Sequence, residues 1–264
     1  MTSTTEVKEA TGRRAAATWR RVAKLTLVAA FWVAVWQVIA WAVGRDFILA
    51  SPVDVALRLG ELVREWDFWT TVGLSLFRIA LGFVLAALVG SLLAALSGAY
   101  RVVDALVSPL VSAIRSIPVV SFIILVLLWA DASLLATITS FLIVLPIVYG
   151  NVYEGIRQRS PTMLEFAVVF RVPWRRRILA IDAPAILPYF VAACRTGVGL
   201  AWKSGVAAEV IGVVDGSIGE KLYRAKVFLE SADLFAWTIV IVVLSMACEA
   251  AVLRALRRAP GGVA

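Results

Sequence analysis

Four charged residues interrupt otherwise apolar stretches of this sequence: Arg78, Arg195, Lys203 and Glu209. A charge held at the centre of a hydrocarbon layer costs about 2.5–3.5 kcal/mol on insertion scales, so each position demands a partner or a task. Arg195 and Lys203 are eight residues apart; on a helix turning about 100° per residue they lie about two turns apart and about 80° round the axis. Two cations so placed could line one side of a polar path and favour an anionic solute. The competing structural account has each side chain snorkel to an interface or pair with an acid on a neighbouring helix. Glu209 falls late in the same segment, expected at its outer end.

A second concentration of charge lies between Glu154 and Asp182, where six Arg stand against Glu154, Glu165 and Asp182. Within it MLEFAVVF is compatible with a short helix, Leu164 and Val168 falling one turn apart. Val172-Pro173 breaks that helix, because the residue before proline resists the α conformation. WRRRILAI starts a second helix towards Pro184, so the stretch reads as helix, turn and helix at a membrane surface, where an amphipathic element can rest on lipid headgroups. Other chemistries are missing. There is no His and no GxxxxGK[ST] phosphate cradle, and Cys194 and Cys248 sit in apolar segments without a CxxC spacing. No catalytic group, metal site or disulfide is expected.

The elements that must position these residues are long and apolar. Of 264 residues 61% are hydrophobic, against about 45–50% in soluble domains, and mean hydropathy is +0.90. Lipid must cover the excess. Stretches near the ~20 residues that span a bilayer are Leu25–Val43, Val72–Leu96, Ser116–Ala130, Ala132–Tyr149, Ala185–Val210 and Leu234–Val252. The fold class is therefore all-α and membrane-spanning, with about six helices in one domain over 25–254, a polar tail at 1–24 and a short tail at 255–264. With both termini inside, the inner segments hold seventeen Lys and Arg and the outer ones six, as the positive-inside rule asks. The net charge of +8 is then membrane topology, and nucleic acid is not an expected partner. Small residues recur every fourth position at Gly82, Ala86, Gly90, Ala94 and Gly98, and again at Ala193, Gly197, Ala201 and Gly205. Each series makes a shallow stripe for another backbone. Between Gly212 and Asp233, the residues Ile218, Leu222, Ala225 and Leu229 share a face, so a short amphipathic helix over the outer mouth is expected.

The order EFA, turn, basic helix and PAILPY resembles the EAA loop of ABC importer permeases. Glu165 and Ala167 match its first and third positions, Phe166 replaces the middle Ala, and Arg171 stands where Gly is usual. After the nine-residue spacer come Ile181 and Pro184, with Ala183 in the Leu position. From about Ile48 to Arg254 the chain is similar to the nitrate/sulfonate/taurine-type branch of these permeases. The likeness runs through ILASPVDV, SLFRIALGFVLAALVGSLLAALSG, DALVSPLVSAIRSIPVVSF, GLAWKSGVAAEVI and GSIGEKLY.

The resemblance implies a type I ABC importer permease fold whose coupling loop, 154–184, docks on a separate cytoplasmic ATPase. Leu164, Val168 and Phe170 would anchor that helix in a groove. Glu165, Ala167, Arg171 and Arg175 would complete the contact. It further implies that ATP and Mg bind the partner and not this chain, that an extracytoplasmic solute-binding protein delivers solute, and that two copies pair in the cell membrane. The solute would be small and anionic, a sulfonate, nitrate or taurine-like molecule, with Arg195, Lys203 and Glu209 along its path. A pyrimidine or vitamin precursor is the alternative. An ion-coupled secondary transporter fits less well, since the first four spans contain no acid and the basic loop would be unexplained; a membrane enzyme lacks His and paired intramembrane carboxylates, and a scaffold subunit would need neither a path nor an ATPase.

Overall fold

The computed structural model describes residues 23–24, 26–45 and 47–257. Most of the expected tail at 1–24, Leu25 at the head of the first span and the end of the tail at 255–264 lie outside the described residues. The elements are α1 (Thr26–Val43), α2 (Pro52–Leu62), α3 (Trp66–Ala99), α4 (Arg101–Ser116), α5 (Val119–Trp129), α6 (Leu135–Arg157), α7 (Pro161–Val169), α8 (Trp174–Arg177), α9 (Ala183–Gly212), α10 (Ile218–Val227) and α11 (Ser231–Arg257). A 3-10 turn, Ala132–Leu134, leads into α6, and a π-helical stretch, Ile178–Asp182, joins α8 to α9. Among the described residues there is no strand.

The small-residue stripes decide how the bundle is assembled. A Cβ on Gly82 would collide with the Thr137 carbonyl oxygen, one on Gly90 would stand 3.1 Å from the Leu145 carbonyl, and one on Gly98 would stand 2.6 Å from Ile156. As numbers rise along α3 they rise along α6, so the two helices run parallel. On the other side, Gly205 meets Ser140, Gly197 meets Val144, and Gly155 meets Tyr189, so α6 and α9 run antiparallel. Both stripes therefore seat the central helix α6 within one chain. Trp202 of α9 donates its indole N–H to the Ile241 carbonyl at 2.9 Å and binds α11 antiparallel to α9. At the end away from α7, Arg58 of α2 donates two hydrogen bonds to Asp233 of α11 and one at 3.0 Å to Glu61. The Asp233 carboxylate, working against burial, pushes the Arg58 pKa above its ordinary value. α1 is almost wholly exposed, touching α11 through Trp36 and Phe235 at 5.3 Å between rings.

Parallel α3 and α6 require the intervening chain to return across the bilayer, and this is where the expected third span, 116–130, needs correcting. Its helical part is α5 alone, eleven residues from Val119 to Trp129, too short to cross a bilayer by itself. Ile117 precedes Pro118 and is extended (ψ 129°), as the clash with a proline ring demands, and α4 and α5 meet at 105°. Among the described residues five helices are long and apolar enough to cross a membrane, and the bent pair, counted as one broken span, makes six. Arg115 then cannot be a loop residue: its guanidinium donates to the Pro146 carbonyl at 2.5 Å, near the middle of α6.

The helices also outrun their expected apolar stretches. α6 continues to Arg157, so the coupling segment begins nearer Gln158 than Glu154, and the basic helix expected to lie on the surface is continuous through the π stretch with α9. Trp174 to Gly212 forms one 39-residue helical rod, about 58 Å long at 1.5 Å per residue.

Candidate coupling and translocation site

The residues expected to grip a partner come together on α7. The Ser160 hydroxyl accepts the Met163 N–H at 3.4 Å, and Pro161 occupies the first turn, where its missing N–H is no loss. The helix ends in a Schellman turn, with the Val172 N–H on the Ala167 carbonyl at 2.9 Å and the Arg171 N–H on the Val168 carbonyl at 3.1 Å. Such a turn calls for a left-handed residue, usually glycine, and Arg171 supplies it with φ 48°. The position where the EAA pattern has glycine keeps glycine's conformation. A left-handed backbone costs a non-glycine residue about 1–2 kcal/mol, and glycine's freedom in the unfolded chain takes back about 0.5–1 kcal/mol. Arg171→Gly is therefore expected to raise stability by up to about 1.5 kcal/mol, read as a higher melting temperature in detergent; a lower one would show that the guanidinium holds the turn.

Ala167 is 3% exposed, whereas Val169 is 74% exposed. Phe166, Val168 and Phe170 are exposed as well, and the Phe166 and Phe170 rings lie 4.2 Å apart. Leu164 is half-buried and Glu165 exposed. Arg175 sits over the Trp174 ring at 5.4 Å. Phe166 and Val169 escaped the sequence reading, which followed the spacing of Leu164 and Val168 and treated Phe166 only as a departure from a pattern. A lock at the loop's base escaped too: Asp182 accepts from Arg159 at 2.6 Å and lies 3.5 Å from Arg177.

The rod α8–α9 carries the three charges expected on a path, and the structure separates them. Ala192, Arg195, Thr196, Leu200 and Lys203 share one exposed stripe. Arg195 stands 3.8 Å from Glu249 of α11, its side chain 70% exposed. Lys203 makes no hydrogen bond or ion pair to the described residues. Glu209 turns about 120° away from Lys203 and is 0% exposed. Its Oε2 accepts from Ser75 Oγ at 2.8 Å and from the Gly219 N–H at 3.4 Å, while Ser75 Oγ accepts the Ile218 N–H at 2.9 Å. Arg78 Nη1 stands 4.0 Å from Glu209 Oε1, and Arg78 Nη2 donates to the Asp215 carbonyl at 3.5 Å. One carboxylate thus joins α3, α9 and the first turn of α10. α9 ends there on Val213 at φ 46°, a strained conformation for a β-branched residue. Lys221 of α10 reaches Asp67 of α3 at 2.5 Å.

Residues 86–259 match the family of binding-protein-dependent transport system inner membrane components. The chain belongs to this permease family. Among curated relatives, the permease is 29% identical over 224 residues to a putative aliphatic sulfonates transport permease of Bacillus subtilis, covering 83% of this chain and 79% of that one. It is 30% identical over 203 residues to a nitrate import permease of Synechococcus elongatus, covering 73% and 72%. It is 27% identical over 184 residues to a formylaminopyrimidine transport permease of Halalkalibacterium halodurans, covering 69% and 73%. The protein is thus a multi-pass inner-membrane permease of the nitrate/sulfonate-type ABC importers, and the matched stretch contains α7, the rod and α10.

Proposed function

We propose that this permease carries a small anion into the cytoplasm, driven by ATP and Mg bound to a separate ATPase that holds α7. The continuous rod from Trp174 to Gly212 carries this reading. It starts beside the exposed apolar residues of α7, passes Lys203 and Glu209 and ends at Gly212, so a displacement of the coupling helix reaches the opposite membrane surface along one unbroken helix. In this reading α7 and both termini are cytoplasmic. Of the segments exposed on that side, moving Arg115 into the bundle leaves sixteen Lys and Arg against six outside. α2 and α10 then face the solute-binding protein.

Lys203 supports a solute of negative charge. An unpaired ammonium on an exposed stripe two thirds of the way along α9 is not stable against lipid; it needs water, a solute or a second copy of the chain. Two copies meeting across the Arg195–Lys203 stripe would enclose a path with cations from both sides. Lys203→Met is expected to lower uptake of the transported anion at least about tenfold, equivalent to about 1.4 kcal/mol, while the ATPase still copurifies. Unchanged uptake in proteoliposomes would remove Lys203 from the path. A pyrimidine substrate is the second reading, favoured by the formylaminopyrimidine relative and by the Arg195–Glu249 pair, which neutralises one of the two cations. Competition of uptake by sulfonate, nitrate and aminopyrimidine separates the two. Glu209 serves as a latch on α10 rather than as a contact for solute.

A further inference from the structure

At the end of the bundle that carries α7, a cavity of about 550 Å³ opens between α3, α6 and α9. Ala95 and Gly98 of α3, Val152 and Ile156 of α6, and Ile186 and Phe190 of α9 make its apolar walls. Arg159, Arg177 and Asp182 stand on its rim. Two guanidiniums there share one carboxylate, leaving one positive charge in excess. Arg159 spends Nε on the Ile156 carbonyl at 2.7 Å and Nη1 on Asp182 at 2.6 Å. The Arg177 Nε stands 3.5 Å from Asp182, outside hydrogen-bond geometry, and is buried with no hydrogen-bond partner. An unspent buried donor costs free energy until something accepts from it.

An apolar groove that ends in excess guanidinium charge at the mouth of a transmembrane bundle matches one class of molecule present in quantity around it. We propose that this groove binds a phospholipid with an anionic headgroup, its phosphodiester on Arg177 and Arg159 and an acyl chain along Ile156 and Phe190. Charge complementarity at a basic pocket between membrane helices selects such headgroups over zwitterionic ones. The inference needs only that α3, α6 and α9 cross the membrane, and it holds whichever leaflet the rim meets. The position gives the lipid a consequence: it fills the angle between the end of α6 and the foot of the rod, so its presence stiffens the base of the coupling segment.

The test uses the full chain in detergent, with dioleoylphosphatidylglycerol and dioleoylphosphatidylcholine offered in turn and retained lipid counted by native mass spectrometry. Wild type should hold one phosphatidylglycerol per chain, about tenfold in preference to phosphatidylcholine, a difference of about 1.4 kcal/mol. Ala95→Leu fills the groove without touching the arginines and should abolish retention; Arg177→Gln should abolish the preference. Should Ala95→Leu melt early in lipid-free detergent, Arg177→Gln alone decides. Equal retention of both lipids by wild type overturns the proposal. So does full retention by Ala95→Leu, or displacement of the lipid by millimolar inorganic phosphate, which would make this a site for a free anion. Transport is not measured, so failure here leaves the importer reading standing.

Discussion

Gly219→Ala is expected to abolish transport while leaving the chain in the membrane. A Cβ at this position would fall inside van der Waals contact with the Glu209 carbonyl carbon and Cβ and the Val210 nitrogen. Two of these are backbone atoms of α9, which cannot move aside as the tip of a flexible side chain could. The first turn of α10 must lift, and with it goes the hydrogen bond from the Gly219 N–H to Glu209. Overpacking of this kind costs about 1–3 kcal/mol, and the loss of one of the two hydrogen bonds to the buried carboxylate adds to it. Ser75→Ala approaches the same junction without any clash. Its hydroxyl both donates to Glu209 and accepts from Ile218, so its loss strands the Ile218 N–H and takes from Glu209 the shorter of its two hydrogen bonds. If α10 is latched by Glu209, both variants should lose uptake in proteoliposomes supplied with binding protein and ATPase. Normal uptake by Gly219→Ala would mean that α10 moves freely over the end of α9 and that the carboxylate is only a structural anchor.

The same junction marks where reading the sequence reached its limit. Glu209 stood out because a carboxylate late in an apolar segment is costly, and the sum was right that it needs a partner. The hydrogen-bond partners are Ser75, over a hundred residues away, and the backbone N–H of Gly219, with the Ile218 N–H bound in turn to the Ser75 hydroxyl. Hydroxyls and amides carry no charge signature in a sequence. The pairing of Arg58 with Asp233 was hidden for a different reason, since both residues lie in polar stretches where any of several neighbours could serve.

Helix existence was legible because lipid imposes a length and an apolar composition on every crossing. Helix ends were less so, because hydropathy stops where charge begins while hydrogen bonding does not. Arg157 closes α6, and Trp174–Arg177 opens the rod, though both are charged segments that read as surface. The bend at Ile117-Pro118 was present in the sequence as a proline near the start of a span. A first-turn proline is tolerated in a helix, but it equally ends the helix before it, and only the parallel course of α3 and α6 shows which effect governs. The small-residue stripes were visible and their partner was not: four-residue spacing announces close approach, and Thr137, Val144, Val148 and Ile156 of α6 identify the helix that approaches.

Phe170→Asp, and Phe166→Asp beside it, should sever this permease from its ATPase, the larger of the effects expected at the coupling end. α7 is nine residues long, yet Phe166, Val168, Val169 and Phe170 are all exposed on it or at its end. A soluble surface seldom leaves so many large apolar groups together unless a partner covers them. Burying a phenylalanine side chain is worth about 1.5–3 kcal/mol, and a carboxylate in its place would also need desolvation in an apolar groove. A loss of at least about 3 kcal/mol lowers affinity more than a hundredfold. Copurification of the ATPase from detergent should therefore fail for Phe170→Asp, whose ring is 65% exposed and so contributes little packing within the chain. Glu165→Lys reverses an exposed rim charge, and exposed pairs are worth about 0–1 kcal/mol, so its effect should be smaller and should weaken further with salt. The order of the two effects separates a contact held by apolar burial from one held by charge. If Glu165→Lys releases the ATPase and Phe170→Asp does not, the grip runs through the basic rim of Arg171 and Arg175, and the exposed rings of α7 face lipid instead.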